Sequence, residues 1–222
     1  MDLSVVWLFL LVLWWGALHS FLASLMVKQA VSRLLGEKAT RFYRLGYNVF
    51  AGLTFLPVLA LLFSLPDRVL YRVPLPWAAL MGLGMFLACV ILVVGVLQTD
   101  VWEFLGLRQV FKPSHPDAPP ASLVTDGLYR YVRHPLYTAG LAFLWLMPVM
   151  TANLLAVNLS LTIYIFIGAI FEERKLHREF GEAYASYAAQ TPMFLPFSGG
   201  TKCPKSRLEK DKSPGCLTPH CL

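Results

Sequence analysis

Gly127-Leu-Tyr-Arg-Tyr-Val-Arg-His-Pro-Leu-Tyr137 sets polar, charged and aromatic residues against the start of an apolar run, Leu136 to Met150. Pro135 suits the first turn of a helix, where its missing N–H costs nothing, so His134 falls at the cap. The free N–H groups and positive dipole end there favour an anion, and Arg133 and His134 add donors. Tyr137 lies one turn on from His134, on the same face. Thirty-five residues beyond Tyr137, Glu172 and Glu173 follow a second apolar run, Leu154 to Phe171. Only Thr151-Ala-Asn153 separates the two runs, which read as a tight helical hairpin. Their charged ends offer an anion hook, an aromatic wall and carboxylates for a cation. The same residues would also suit a basic membrane-interface anchor with a belt tyrosine.

Working outward, three more apolar runs precede the motif. Leu3 to Val27 is long enough to span a bilayer. Asp2 before it and Lys28 after it do not fit a cleaved signal peptide, so it reads as a retained helix. His19, Ser20 and Ser24 sit on it, and a histidine inside a span faces the bundle or a cavity; a packed histidine bonded to a carbonyl is the plain alternative. The second span runs from about Gly46 to Leu65 and the third from Trp77 to about Leu97. After Glu173, Leu176, Phe180 and Tyr184 recur at helical spacing among charges, as in an interfacial amphipathic helix. The expectation is an all-α membrane protein of five transmembrane helices, the last two a tight hairpin, followed by that interfacial helix. Residues 1–197 form one domain, with its catalytic and cofactor part at about 98–197, and 198–222 form a disordered polar tail.

Composition agrees: 57% of the residues are hydrophobic and 14% charged. The net charge of +6 does not imply nucleic acid, because the basic residues lie between the apolar runs. Five Lys and Arg fall in 28–45, four in 98–135 and eight after 171, against two in 66–76 and none in 151–153. Five spans with the N-terminus outside put every basic segment, and the motif with them, in the cytoplasm. In a bacterium this would be the inner membrane. Cys216, His220 and Cys221 match no strong zinc spacing, so no metal is expected.

The motif set resembles a known family. Leu123-Val-Thr-Asp-Gly-Leu-Tyr129, Arg133-His-Pro-Leu-Tyr137, Glu172-Glu-Arg-Lys-Leu176, Phe180-Gly181, Tyr184, Tyr187 and Pro192 look like the isoprenylcysteine carboxyl methyltransferase and phospholipid methyltransferase superfamily. The resemblance covers roughly 121–196. It implies an integral membrane enzyme using S-adenosyl-L-methionine. Leu123 and Val124 would touch the cofactor through their backbone; Tyr129, His134, Pro135, Leu136 and Tyr137 would line its pocket; Glu172 matches the family's cofactor-binding glutamate. The cofactor's carboxylate, cationic head and adenine fit the anion hook, the glutamate and the apolar walls. Arg133 is the candidate for steering an anionic acceptor, and Glu173 for removing a proton.

Two positions depart from the prenylcysteine enzymes. Gly168 stands where they carry a substrate-binding arginine, and Ala121 where a histidine often precedes Leu-Val-Thr. The N-terminal part, with His19, Ser20, Ser24 and Arg41-Phe-Tyr-Arg-Leu-Gly-Tyr-Asn48, is similar to bacterial thiol methyltransferases and their NnrU-like relatives. The expectation is a membrane methyltransferase for a small or lipophilic acceptor, with Gly168 and His19 on the acceptor side. Its partners would be that acceptor and membrane lipids, with no nucleic acid and no obligatory protein partner. The alternatives are a prenylcysteine O-methyltransferase, a phospholipid-amine N-methyltransferase and an NnrU-like membrane protein without catalysis.

Overall fold

The computed structural model of the protein describes residues 3–98 and 123–196, with Trp102, Leu107 and Phe111, apart from the side chains at 37 and 38. The expected tail at 198–222, Cys216, His220 and Cys221 in it, and Ala121 lie outside the described residues. The chain is mostly helical. In order come α1 (Leu3–Ala23), α2 (Leu25–Ser64), strand β1 (Val69–Arg72), α3 (Trp77–Gln98), a 3-10 turn at Gly127–Arg130, α4 (Pro135–Trp145), strand β2 (Val149–Thr151), α5 (Ala152–Phe180) and α6 (Glu182–Gln190). Ser24 caps α2, accepting from the Val27 N–H. Gly36 interrupts that helix at φ 77°, a backbone conformation open mainly to glycine.

Among the described residues, four helical stretches are long and apolar enough to cross a membrane: Leu3–Ala23, Ala39–Ser64, Trp77–Gln98 and Ala152–Phe180. Large apolar side chains such as Trp7, Phe63 and Phe86 point outward from them, as lipid-facing residues do. This is a membrane protein by length, composition and exposed surface. The fourth expected span is not among them. The fourth apolar run forms only the 11-residue α4, because Pro148 follows its end and cannot continue a helix. The chain then extends into β2, which pairs antiparallel with β1 through Val69–Thr151, Tyr71–Met150 and Arg72–Val149. The fold is therefore not purely α, and the fourth and fifth elements are not a simple hairpin of two spans.

Small residues set the helix contacts. A Cβ at Gly16 of α1 would lie 2.7 Å from the Tyr164 ring of α5. On α3, Gly84 meets Leu146 and Gly95 meets Leu136, so α4 runs antiparallel along it. The Ser160 hydroxyl donates to the Phe9 carbonyl at 3.1 Å, and the Trp15 indole N–H reaches Ala51 O and Thr54 Oγ1. Leu8, Val12, Val58 and Val157 form the core between α1, α2 and α5. Such close approaches and interhelical bonds hold helices together where lipid offers no hydrophobic drive. Gly16→Leu is expected to destabilise the fold by about 1–3 kcal/mol, the range for overpacking, read as a lower unfolding midpoint in detergent; an unchanged midpoint would mean that α1 and α5 do not meet there.

One further expectation is corrected. The amphipathic run after Glu173 is not one interfacial helix. Gly181 takes φ 53° and breaks it, and α6 folds back so that Tyr184 is buried at 1% exposure.

Candidate active site

The motif residues converge at the end of α5 that lies away from the β1–β2 ribbon. The backbone N–H groups of Arg133 and His134 donate to the carbonyls of Pro192 and Met193, at 2.9 and 3.1 Å. The segment after α6 therefore straps the start of α4. Tyr187 adds a second tie, its hydroxyl donating to the Tyr129 carbonyl at 2.6 Å. His134 is the N-cap of α4 and Pro135 its first residue, as expected, and no side chain caps the turn. The next N–H groups, of Leu136 and Tyr137, have no partner within the helix.

Neighbouring residues on a helix point about 100° apart, and Glu172 and Glu173 accordingly do different things. Glu173 faces inward. Its carboxylate accepts from Arg133 Nε at 2.9 Å and Nη2 at 3.0 Å, and from the Tyr184 hydroxyl at 2.6 Å. His134 Nε2 lies 2.8 Å from the same carboxylate. Arg133 Nη1 in turn donates to the carbonyls of Ala188 and Thr191, at 2.8 and 2.7 Å. Burial pushes the Tyr184 phenol upward, and its hydrogen bond to the Glu173 carboxylate adds to that, so it stays a donor. Tyr187 is pushed up to about 12, burial again leading, and burial with the nearby Glu172 charge raises Tyr129.

This network engages three residues given other roles by the sequence. Arg133 bonds Glu173 and two carbonyls, and the Glu173 carboxylate meets Arg133, Tyr184 and His134. The His134 side chain is 4% exposed, and its other nitrogen, Nδ1, lies 3.7 Å from Glu172.

Glu172 faces outward, with 43% of its side chain exposed. It borders a cavity of about 400 Å³ together with Leu123, Val124, Tyr129, Pro135, Leu136 and Tyr137. Arg133 and His134 also contribute to the wall, so every residue named above for the cofactor meets at one cavity. Tyr137 stacks on His134, with ring centroids 5.3 Å apart and planes at 14°. The other predicted residues stand apart from this lining. Gly168 is on α5 one turn before Glu172, and a Cβ there would meet nothing within 4 Å. His19 lies on α1 among Trp15, Tyr47 and Tyr164.

Sequence reading missed Lys175, Leu176 and Glu179, which line the same cavity. The signal was present, since they follow Glu172 at i+3, i+4 and i+7, one face of α5. Lys175 adds a cationic side chain to that lining. The donor set fits S-adenosylmethionine: a solvent-accessible carboxylate for a cationic head, a lysine and a helix N-terminus for a carboxylate, and tyrosines and aliphatics for a purine. The volume falls within the roughly 300–1,000 Å³ of small-molecule sites. Among the described residues no cluster of His, Cys, Asp and Glu could hold a metal ion.

The profile of the phospholipid methyltransferase family matches residues 77–183. A methanethiol S-methyltransferase of Crocosphaera subtropica is 36% identical over 114 residues, covering 51% of this chain and 45% of that protein. A protein-S-isoprenylcysteine O-methyltransferase B of Arabidopsis thaliana is 29% identical over 124 residues, 54% of this chain and 60% of that protein. A Nurim homolog of Drosophila melanogaster is 29% identical over 156 residues, 67% and 60% of the two chains. The matched stretches thus span about half of these relatives. No solved structure matches the chain.

Proposed function

We propose that this chain, which matches the phospholipid methyltransferase family over residues 77–183, transfers a methyl group from S-adenosylmethionine to a small or lipophilic acceptor, a thiol foremost. The observation that carries this reading is the cavity shared by Glu172, Lys175, Tyr129, Tyr137 and the start of α4. The cofactor would supply an electrophilic methyl on a sulfonium. Glu172 would hold the ammonium of its methionine head, Lys175 and the α4 N–H groups its carboxylate, and Tyr129, Tyr137 and Leu123 its base. Arg133, Glu173, Tyr184 and the strap at 192–193 would keep these groups in register, which matters because transfer needs in-line placement at contact distance.

Gly168 weighs against a prenylcysteine acceptor. A carboxylate brought into a membrane pocket must be paired, and Gly168 offers no side chain for it. The relatives named for methanethiol fit the open space there better. The test is incubation of the purified protein with radiolabelled S-adenosylmethionine and, separately, ethanethiol, a lipid amine and farnesylated N-acetylcysteine. Label in the thioether is the expected result. Label in the farnesyl ester alone would restore the prenylcysteine reading, and no label in any acceptor would favour a role without catalysis.

The chain would cross the membrane five times, the crossing at 135–151 made by α4 and the extended residues up to β2. The contacts of α4 along α3 and the pairing of β2 with β1 support this path. By the distribution of basic residues the cavity would then face the cytoplasm. Single cysteines at Asp67 and Arg130, in a background without native cysteines, should be labelled on intact cells by an impermeant reagent at Asp67 only; the reverse pattern would invert the topology.

A further inference from the structure

Resting on the methyltransferase reading, we propose that His19 takes the proton of a thiol acceptor held beside Gly168, between the Glu172 cavity and an aromatic box of Trp15, Tyr47 and Tyr164. Tyr164, Gly168 and Glu172 succeed one another at i, i+4 and i+8, so they share one face of α5, about 6 Å apart along the axis. The space over Gly168 is open, since a Cβ there would meet nothing within 4 Å. Tyr137, which hydrogen-bonds Glu172, also lies close enough to Tyr164 for the two groups to interact. The open face at Gly168 therefore lies one helical turn from the Glu172 cavity.

Beyond it lies His19. Gly16 has no side chain, so the Tyr164 ring sits against α1, and His19 comes to 6.3 Å from that ring. Trp15 stacks on the imidazole at 5.4 Å and 15°, and Tyr47 flanks it at 5.1 Å. These rings fix its orientation. His19 Nδ1 is buried and has no hydrogen-bond partner among the described residues. Two nearby donors are committed elsewhere, Trp15 to Ala51 and Thr54 and Tyr43 to the Leu22 carbonyl, and the Tyr164 oxygen accepts from Ser20. A buried polar atom without a partner is uncommon and calls for a reason. With the ring proton on Nε2, Nδ1 carries a lone pair, and apolar rings around it suit a small thiol rather than water.

In the step itself the S–H proton passes to Nδ1 and a sulfur lone pair forms the new S–CH₃ bond, while the sulfonium C–S bond breaks and its electron pair leaves with the donor's thioether. His19 then returns its proton to water. A general base of this kind contributes on the order of 100- to 10,000-fold.

The experiment compares wild type, His19→Gln and Gly168→Leu in detergent. Calorimetry with S-adenosylhomocysteine should give the same affinity in all three. His19→Gln should lower turnover of ethanethiol on the order of 100-fold or more, yet leave that of thiophenol, which ionises without help near neutral pH, close to wild type. Gly168→Leu should abolish ethanethiol binding to the S-adenosylhomocysteine-loaded protein. Equal losses for both thiols in His19→Gln, or lost S-adenosylhomocysteine binding in that variant, would make His19 a packing residue and overturn the proposal. So would unchanged ethanethiol turnover in both variants, or a wild type that binds S-adenosylhomocysteine and methylates neither thiol. A wild type that does not bind S-adenosylhomocysteine would remove the donor reading, and this one with it.

Discussion

Replacing Glu173 with glutamine is expected to dismantle the site rather than slow it. The carboxylate takes a bidentate pair from Arg133 and a hydrogen bond from Tyr184, and it faces His134 at 2.8 Å. The Arg133 and Glu173 side chains are only 14% and 16% exposed. Removing one charge of a buried pair leaves the other unpaired in a poor solvent, at a cost of about 3–5 kcal/mol. The amide can still accept one bond, but it cannot serve both guanidinium nitrogens. Because Arg133 also holds the carbonyls of Ala188 and Thr191, the loss reaches α6 and the strap over α4. Unfolding in detergent should shift to markedly lower denaturant, and S-adenosylmethionine binding should vanish with it. Wild-type stability in Glu173→Gln would show that the network is dispensable.

Glu172→Gln should do the opposite: leave stability nearly intact and weaken cofactor binding. This carboxylate is 43% exposed, and its nearest ionic neighbour, His134 Nδ1, is 3.7 Å away. It also accepts from the Tyr137 hydroxyl, a bond that the amide oxygen of glutamine can keep. Loss of a charge-assisted bond to the cofactor head should weaken binding by about 1–3 kcal/mol, where each 1.4 kcal/mol is about tenfold in affinity. Calorimetry reads the affinity and thermal unfolding the stability, so the contrast with Glu173→Gln separates a binding carboxylate from a scaffolding one. Equal behaviour of the two variants would contradict their assigned directions.

Much of this site was legible in local spacing. Pro135 announces the start of α4 and His134 its cap, and Glu172 at the end of an apolar run announces a carboxylate at the same depth. Lys175 and Glu179 were legible too, by continuing the helical face from Glu172. What stayed hidden is non-local. Nothing near Arg133 shows that Glu173, forty residues away, occupies its guanidinium. Nothing near Arg133 and His134 shows that Pro192 and Met193 bind their backbone N–H groups. Gly181 reads as a tolerated residue inside an amphipathic pattern, yet its positive φ turns α6 back and converts Tyr184 from an interfacial side chain into a buried donor. The short α4 was half legible: Pro148 forbids a longer helix, but the apolar run through it still read as a span. Strand pairing across 69–72 and 149–151 has no local signature in segments so short.

The central claim is that the cavity beside Glu172 holds S-adenosylmethionine. Its most direct test is calorimetric titration of S-adenosylmethionine into the purified wild-type protein and Glu172→Gln, in one detergent. Saturable binding at one site per chain, weakened in the variant, is the predicted result; no binding to a folded wild type, or equal affinity in both proteins, would contradict it.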